Sequence, residues 1–593
     1  MNRTRITIFL SVLLLALSFA GTAAAQAPLE PSQLPARTLF YLIWRGMPAG
    51  DVRKANSLFA LWDDPGIAPA RDALAQNLFD SSKQKDSKTP PITAAEWEEF
   101  APLLDNSYVI GFLINPEKHA AATAKSLDPK SADTKSPEWN GVFFVFNRTG
   151  KEALLAKALL GIRAQQALQK DAPEMSQTTI AGLPALKFTS KTGNSYWVEK
   201  GKYLVSTGER SVMEEILARL DGKSTGGSLA ESAAYQEAQP VLGHGTLELF
   251  LRVPDLKEFA PDAPQQGVKV KPMLDALRLD SIHSICGHIS FEGPKTRLQG
   301  AILGDASDGT LFDIFADGTT APAALAFASP DIVRFSSGQI NFNGIYSTIK
   351  RAVRSVLPPN QQGNVDMVDA IAQSRIGMPV SDALALLTGE FASLQSSPVM
   401  AADQQVYFLG IRNKPGALKL MRTLLSEKIT GEHTEGDVTF LKVSLGGGAS
   451  GAGVAQWNFY HVAVTPDAVL GASKAETLHQ ILAQRAQNTA SGFASLPQFQ
   501  AARSQFPQSV DGLSYVDFQK IDWPGLKDHW IREMKKSSTS KALAGQKATP
   551  APPAPVPAWL EQIDPQVFSR HLHSAFAASW KDTKGFHFEE WLD

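Results

Sequence analysis

The chain has one cysteine, Cys286, in 593 residues. An internal disulfide is therefore excluded, and stability has to come from buried core rather than covalent staples. Cys286 lies in Ser-Ile-Cys-Gly-His-Ile-Ser-Phe, a strand-like run. A small buried hydrophobe is the expected role there, and a reactive thiol or an intermolecular bridge is the rival one. Charge of one sign is also scarce. The net charge is −2, so no excess points to nucleic acid or an anionic membrane surface. Long apolar runs are missing after the N-terminus. Nothing there approaches the ~18 consecutive apolar residues of a membrane span, and no transmembrane segment is expected once the N-terminal signal is removed.

Local catalytic signatures are missing too. The chain has no His-Glu-x-x-His, no cysteine pair, no acidic calcium loop, no Gly-x-Ser-x-Gly and neither phosphate-loop pattern. Ser347 and Lys350 match Ser-x-x-Lys, but so do Ser82 with Lys85 and Ser538 with Lys541. Three hits to a two-letter pattern mark coincidence. The companion motif Lys191-Thr-Gly193 precedes Ser347, whereas it should follow the nucleophile. His571 and His573 alternate on an expected strand and could share a face, but two ligands do not make a metal site. Neighbours in Glu98-Glu99 and Glu589-Glu590 point different ways, so neither couple is an acid–base pair. No catalytic, cofactor-binding or metal residue is assigned.

What is present begins at the first residues. Arg3 and Arg5 precede an apolar run from Ile8 to Ala20, and small residues end at Ala23-Ala24-Ala25 before Gln26. This is the layout of a cleavable secretory signal over residues 1–25, and it predicts a periplasmic or secreted protein. Hydrophobic residues make up 44% and charged residues 20% of the chain, proportions that let the remainder bury real cores.

A long internal repeat follows. Val142-Phe-Phe-Val-Phe146 reads as a strand, with a capping box at Thr149–Glu152 opening a helix over Ala153–Arg163. In the second half Val406-Tyr-Phe-Leu409 is a strand and Pro415 opens the helix Gly416–Leu425. Leu159 and Leu424 differ by 424 − 159 = 265. A hairpin around Lys200-Gly201-Lys202 and the helix Glu209–Leu220 match a hairpin around Thr465-Pro466-Asp467 and the helix Lys474–Arg485. There Ile216 matches Ile481, again at 481 − 216 = 265, and Ser473–Glu476 forms another capping box. Tyr235 matches Phe499, and the strand from Gly245 matches the strand from Gly512. The closing strands correspond at 580 − 291 = 289 and the early ones at 386 − 103 = 283. Polar inserts at Lys118–Glu138 and Ser537–Pro557 absorb these changes, and Gly446–Gly453 reads as a flexible loop. The module starts match more weakly: a strand at Leu34–Ile43 with a helix at Val52–Trp62, against Ala328–Phe335 with a helix at Ile345–Leu357.

Leu34-Pro-Ala-Arg-Thr-Leu-Phe-Tyr41, the Leu61-Trp62 pair and Leu386-Leu-Thr-Gly-Glu-Phe-Ala392 resemble segments of an exported bacterial family of unknown function. That resemblance implies an envelope or secreted location and a repeated α+β layout. It carries no activity and transfers no catalytic residue. Glu390, the one charged residue of the later segment, is expected to cap or hydrogen-bond locally.

The expected fold is α+β, with two tandem homologous modules at residues 33–315 and 320–593. The second carries the Pro/Ala-rich loop 537–557, and each module is a mostly antiparallel sheet with helices on one face. The expected function is non-enzymatic, a binding or scaffold protein of the bacterial cell envelope. Its partner would be a small ligand or an envelope protein. A secreted hydrolase with a site assembled from distant residues, and a carrier of an apolar ligand, are the alternatives.

Overall fold

Alternation with period two decides which side chains reach the core. Along Thr38–Trp44 (β1), Tyr41 and Ile43 are buried while Phe40 and Leu42 are half-exposed. The same rhythm recurs through the computed structural model. It describes residues 29–48, 50–73, 101–114, 141–157, 160, 174–190, 193–223, 226–243, 245–259, 270–319, 321–401, 404–444, 461–487, 492–540 and 556–593. The further strands of the first half are Tyr108–Leu113 (β2), Val142–Asn147 (β3), Glu174–Ile180 (β4), Leu183–Ser190 (β5), Gly193–Lys200 (β6), Tyr203–Thr207 (β7), Leu247–Arg252 (β8), Ile282–Glu292 (β9) and Lys295–Gly304 (β10). Those of the second are Arg334–Gln339 (β11), Leu387–Gln395 (β12), Gln405–Ile411 (β13), Ile429–Glu435 (β14), Val438–Val443 (β15), His461–Val464 (β16), Ala468–Ala472 (β17), Gly512–Asp517 (β18), Ser574–Asp582 (β19) and Gly585–Leu592 (β20).

Among the described residues every pairing is antiparallel, and one sheet of twenty strands results. From its first edge the order is β4-β5-β6-β7-β3-β2-β1-β8-β9-β10. From the opposite edge it is β14-β15-β16-β17-β13-β12-β11-β18-β19-β20. The second ten strands thus repeat the pairing order of the first ten. The two runs meet where β10 pairs with β20. At that seam Gln299 faces Glu589, and 589 − 299 = 290. Cys286 and Phe576, opposite Phe250 and Tyr515, also differ by 576 − 286 = 290. Structurally equivalent residues therefore face each other at the seam, as in a self-complementary two-fold contact. The outer edges, β4 and β14, carry Glu-Met-Ser-Gln-Thr-Thr-Ile and Ile-Thr-Gly-Glu-His-Thr-Glu. Their polar side chains suit strands that end a sheet in water.

One face of the sheet carries both large cores. Tyr41, Val109, Val145, Val205 and Phe250 pack under the helices Arg210–Leu220 (α1) and Ala233–Leu242 (α2). Phe335, Leu394, Val406, Leu470 and Tyr515 pack under Ala475–Gln487 (α3) and Pro497–Arg503 (α4). Each fully buried side chain of this size contributes about 1.5–3 kcal/mol. Aromatic clusters sit in both cores, Tyr41 with Tyr235 and Phe250 in one half, and Phe493 between Phe335, Phe499 and Tyr515 in the other.

Helices on one face only is corrected. The helix Lys414–Leu425 packs Ala417 and Leu418 against Leu441, Val443, Val462 and Val464 on the opposite face. The helix Ser57–Asp63 likewise covers Trp44, Leu247, Phe291 and Leu592. These strands are apolar on both sides, so both sides need cover. Other local expectations are adjusted. The helix expected over Val52–Trp62 is two helices, Gly50–Ala55 and Ser57–Asp63, divided at Asn56, whose side chain accepts from the Leu58 and Phe59 amides. The hydroxyl of Ser473 makes no hydrogen bond, so the capping box there is absent. The helix Trp523–Ser540 runs into the segment expected to be a loop from Ser537. Residues 1–25, 118–138, 446–453 and 541–555 lie outside the described residues. Among the described residues no helix is long and apolar enough to cross a membrane.

Candidate functional site

On α3 the row Thr477, Leu478 and Ile481 faces the sheet, and Gln480 and Gln484 flank it one turn apart. Beneath α3 run the approach to β11, through Ser329 and Ile332, and the end of β12, through Leu394 and Ser396. Between them lies a pocket of about 200 Å³. Its floor is Ile332, Leu394 and Ile481, and its walls are the hydroxyls of Ser329, Ser396 and Thr477 with the two glutamines. Asp331 stands exposed at the rim. The volume is below the ~300–1,000 Å³ of drug-sized sites and far above the ~10–15 Å³ that one water requires. The lining has no histidine, lysine, arginine or cysteine. Its chemistry is hydrogen bonding around one carboxylate. Within the described residues the side chains of Asp331, Gln480 and Gln484 have no hydrogen-bond or ionic partner.

The equivalent place in the first half holds ion-paired side chains. The Leu229 amide donates to the Leu34 carbonyl at 2.9 Å, as the Phe493 amide does to the Ala328 carbonyl at 3.1 Å. These set the offsets 328 − 34 = 294 and 493 − 229 = 264, and β1 and β11 agree, because Tyr41 and Phe335 lie opposite Phe250 and Tyr515 at 335 − 41 = 294. Asp331 therefore stands where the first half has Arg37. Along the helices, Gln480 stands for Glu215 and Gln484 for Arg219, at 265. In the first half Arg37 pairs with Glu215 at 2.5 Å and donates to the Ile114 carbonyl at 3.0 Å. Arg219 lies 3.5 Å from Glu215 and donates to the Gly227 carbonyl at 2.8 Å and the Leu34 carbonyl at 3.3 Å. Leu394 corresponds to Gly111, since each faces its half's first strand at Phe335 or Tyr41. The Phe143 ring lies over Gly111, with Cζ 2.2 Å from where a Cβ would sit. Ion pairs and a ring close one half, and among the described residues neutral amides line the pocket in the other.

The residues singled out in the sequence lie elsewhere. Cys286 is buried in the first core, and burial pushes its thiol up to about 12, away from a reactive thiolate. Glu390 accepts from the Ala323 and Ala324 amides at 3.0 and 2.8 Å, capping the turn Ala323–Phe327, a partner distant in sequence and not the local one expected. Ser347 donates to the Gly344 carbonyl of its own helix, and Lys350 pairs with Asp369 at 2.8 Å and Asp366 at 3.0 Å. His571 and His573 are not on one strand. His571 ends the helix Gln566–His571 and meets Asp64 at 2.9 Å, while His573 is exposed before β19. Burial opposes ionisation of Asp64, but hydrogen bonds from His571, the Gly66 amide and Arg570 outweigh it and hold the carboxyl below its usual range. Glu589 faces the cores and pairs with Arg297 at 2.8 Å. Glu590 faces the other way, and desolvation raises its pKa. Ser82, Lys85, Glu98, Glu99, Lys191 and Lys541 lie outside the described residues.

Sequence reasoning missed the pocket, and it missed Asp511. This side chain is 4% exposed, neither carboxyl oxygen has a side-chain partner, and burial pushes it up to about 7 against a weaker pull from Lys581. Among the described residues no group of three or more His, Cys, Asp or Glu side chains is placed to hold a metal ion. No family model, no curated protein and no solved structure matches the chain.

Proposed function

We propose that this is an exported, non-enzymatic binding protein of the bacterial cell envelope, built from two tandem homologous modules, one kept as scaffold and one kept open for a small ligand. The observation that carries it is the unequal treatment of one site. Arg37, Glu215, Arg219 and Phe143 fill it in the first half, and Asp331, Gln480 and Gln484 line about 200 Å³ in the second, where Val406 pairs with Leu394 as Phe143 pairs with Gly111. The shared pairing order supports duplication, and the signal-like residues 1–25 support export. Polar walls around an apolar floor suit recognition of a small hydrogen-bonding molecule.

The test is a thermal-shift screen of periplasmic metabolites on the native protein and on a plugged variant, Asp331→Arg with Gln480→Glu and Gln484→Arg. At least one compound should raise the melting temperature of the native protein and leave the plugged variant unmoved. No shift across the screen, or equal shifts in both proteins, would overturn the reading.

A further inference from the structure

The first half shows what kind of group this site accommodates. Its plug consists of guanidinium groups. That of Arg37 is held by the Glu215 carboxylate and the Ile114 carbonyl, and that of Arg219 by the Gly227 and Leu34 carbonyls. The Arg219 side chain is 5% exposed, and its two terminal nitrogens find carbonyls while its Nε has only the Glu215 carboxylate at 3.5 Å. In the second half both arginines are gone. The trio changes from Arg, Glu and Arg, a sum of +1, to Asp, Gln and Gln, a sum of −1. Asp331 and Gln484, the counterparts of those arginines, line the pocket, with the carboxylate at its rim. Within the described residues that carboxylate makes no ion pair, and the Lys520 ammonium beside it is engaged by the Pro330 and Ile332 carbonyls.

We propose that the second-half pocket binds a small organic cation, a guanidinium or primary amine on a short aliphatic chain. Asp331 is its counter-ion. The Gln480 and Gln484 amide oxygens and the Ser329 hydroxyl accept its N–H groups, and Ile332, Leu394 and Ile481 take its methylenes. The cation restores from outside the charge that Arg37 and Arg219 supply from within the other half. The proposal rests on the reading of this pocket as the ligand site.

Isothermal titration at low ionic strength with agmatine, butylamine, glucose and glutamate tests it. Agmatine and butylamine should bind, and glucose and glutamate should not. Asp331→Asn should weaken agmatine about five- to tenfold, as loss of a partly exposed charge-assisted contact does, and added salt should weaken it further. The plugged variant should not bind. If that variant lacks a cooperative melt, Gln484→Arg alone, a change at an exposed helix position, serves in its place. Glucose or glutamate binding the native protein but not the plugged one would overturn the cation assignment and leave the ligand site standing. Agmatine binding equally to native and plugged protein, or no agmatine heat at millimolar concentration, would overturn the proposal.

Discussion

At the scale of single residues, chemistry is concentrated where the two halves differ. Asp511 is an example, because its equivalent at 511 − 265 = 246 is Thr246. A buried carboxyl with a pKa of about 7 keeps its proton in the native state while the unfolded chain releases it near 3.8. Between those values the native state binds more protons, so stability falls as pH rises from about 4 to about 7. The span corresponds to roughly 4 kcal/mol as an upper bound. Asp511→Asn should abolish that part of the slope. Urea unfolding of both proteins at pH 4.5, 6 and 8 reads it directly, and an unchanged slope in the variant would show that Asp511 is not its source. Some residue roles were legible beforehand. Cys286 sits in a strand of apolar alternation, and Glu390 is a lone charge whose capping role, though not its distant partner, could be read. Asp331, Gln480 and Gln484 were not legible. A glutamine on a helix reads as solvated surface, and only the register of the other half reveals that it replaces an ion pair.

At the scale of elements, Gly344 sets two ordinary rules against each other. It lies in the helix Phe342–Val356, where alanine would normally add about 1 kcal/mol. A Cβ there would sit 2.0 Å from the Asp313 carbonyl oxygen, part of the backbone of the turn Leu311–Ile314. That atom cannot swing away as a side chain could. Overpacking wins, and Gly344→Ala should destabilise by about 1–3 kcal/mol in urea unfolding; a gain in stability would show that the helix can slide off the turn. Amphipathic elements such as α1, α3, β1 and β3 could be read from periodicity. The edge strands β4 and β14 could not, because solvated edges lack the apolar alternation that marks a strand. The hidden register of β8 against β18 had a similar cause. Matching Gly245 to Gly512 follows the letters, whereas Phe250 opposite Tyr41 and Tyr515 opposite Phe335 place Leu247 against Gly512.

At the scale of the whole molecule, the sheet is one ten-strand pattern written twice and joined through β10 and β20. The repeat near 265 foreshadowed the order within each half. The seam was not legible, since β10 and β20 are nearly 290 residues apart and nothing local specifies their pairing. The repeated pairing order also supplies an internal control. Ile481 lines the pocket in the second half, and Ile216 occupies the same place beneath the plug in the first. The most direct measurement is therefore methyl-detected NMR of the isoleucine-labelled protein during an agmatine titration. The account predicts that the Ile332 and Ile481 methyl resonances move with saturation while Ile216 stays fixed. Equal movement of Ile216 and Ile481, or movement of neither, would contradict it.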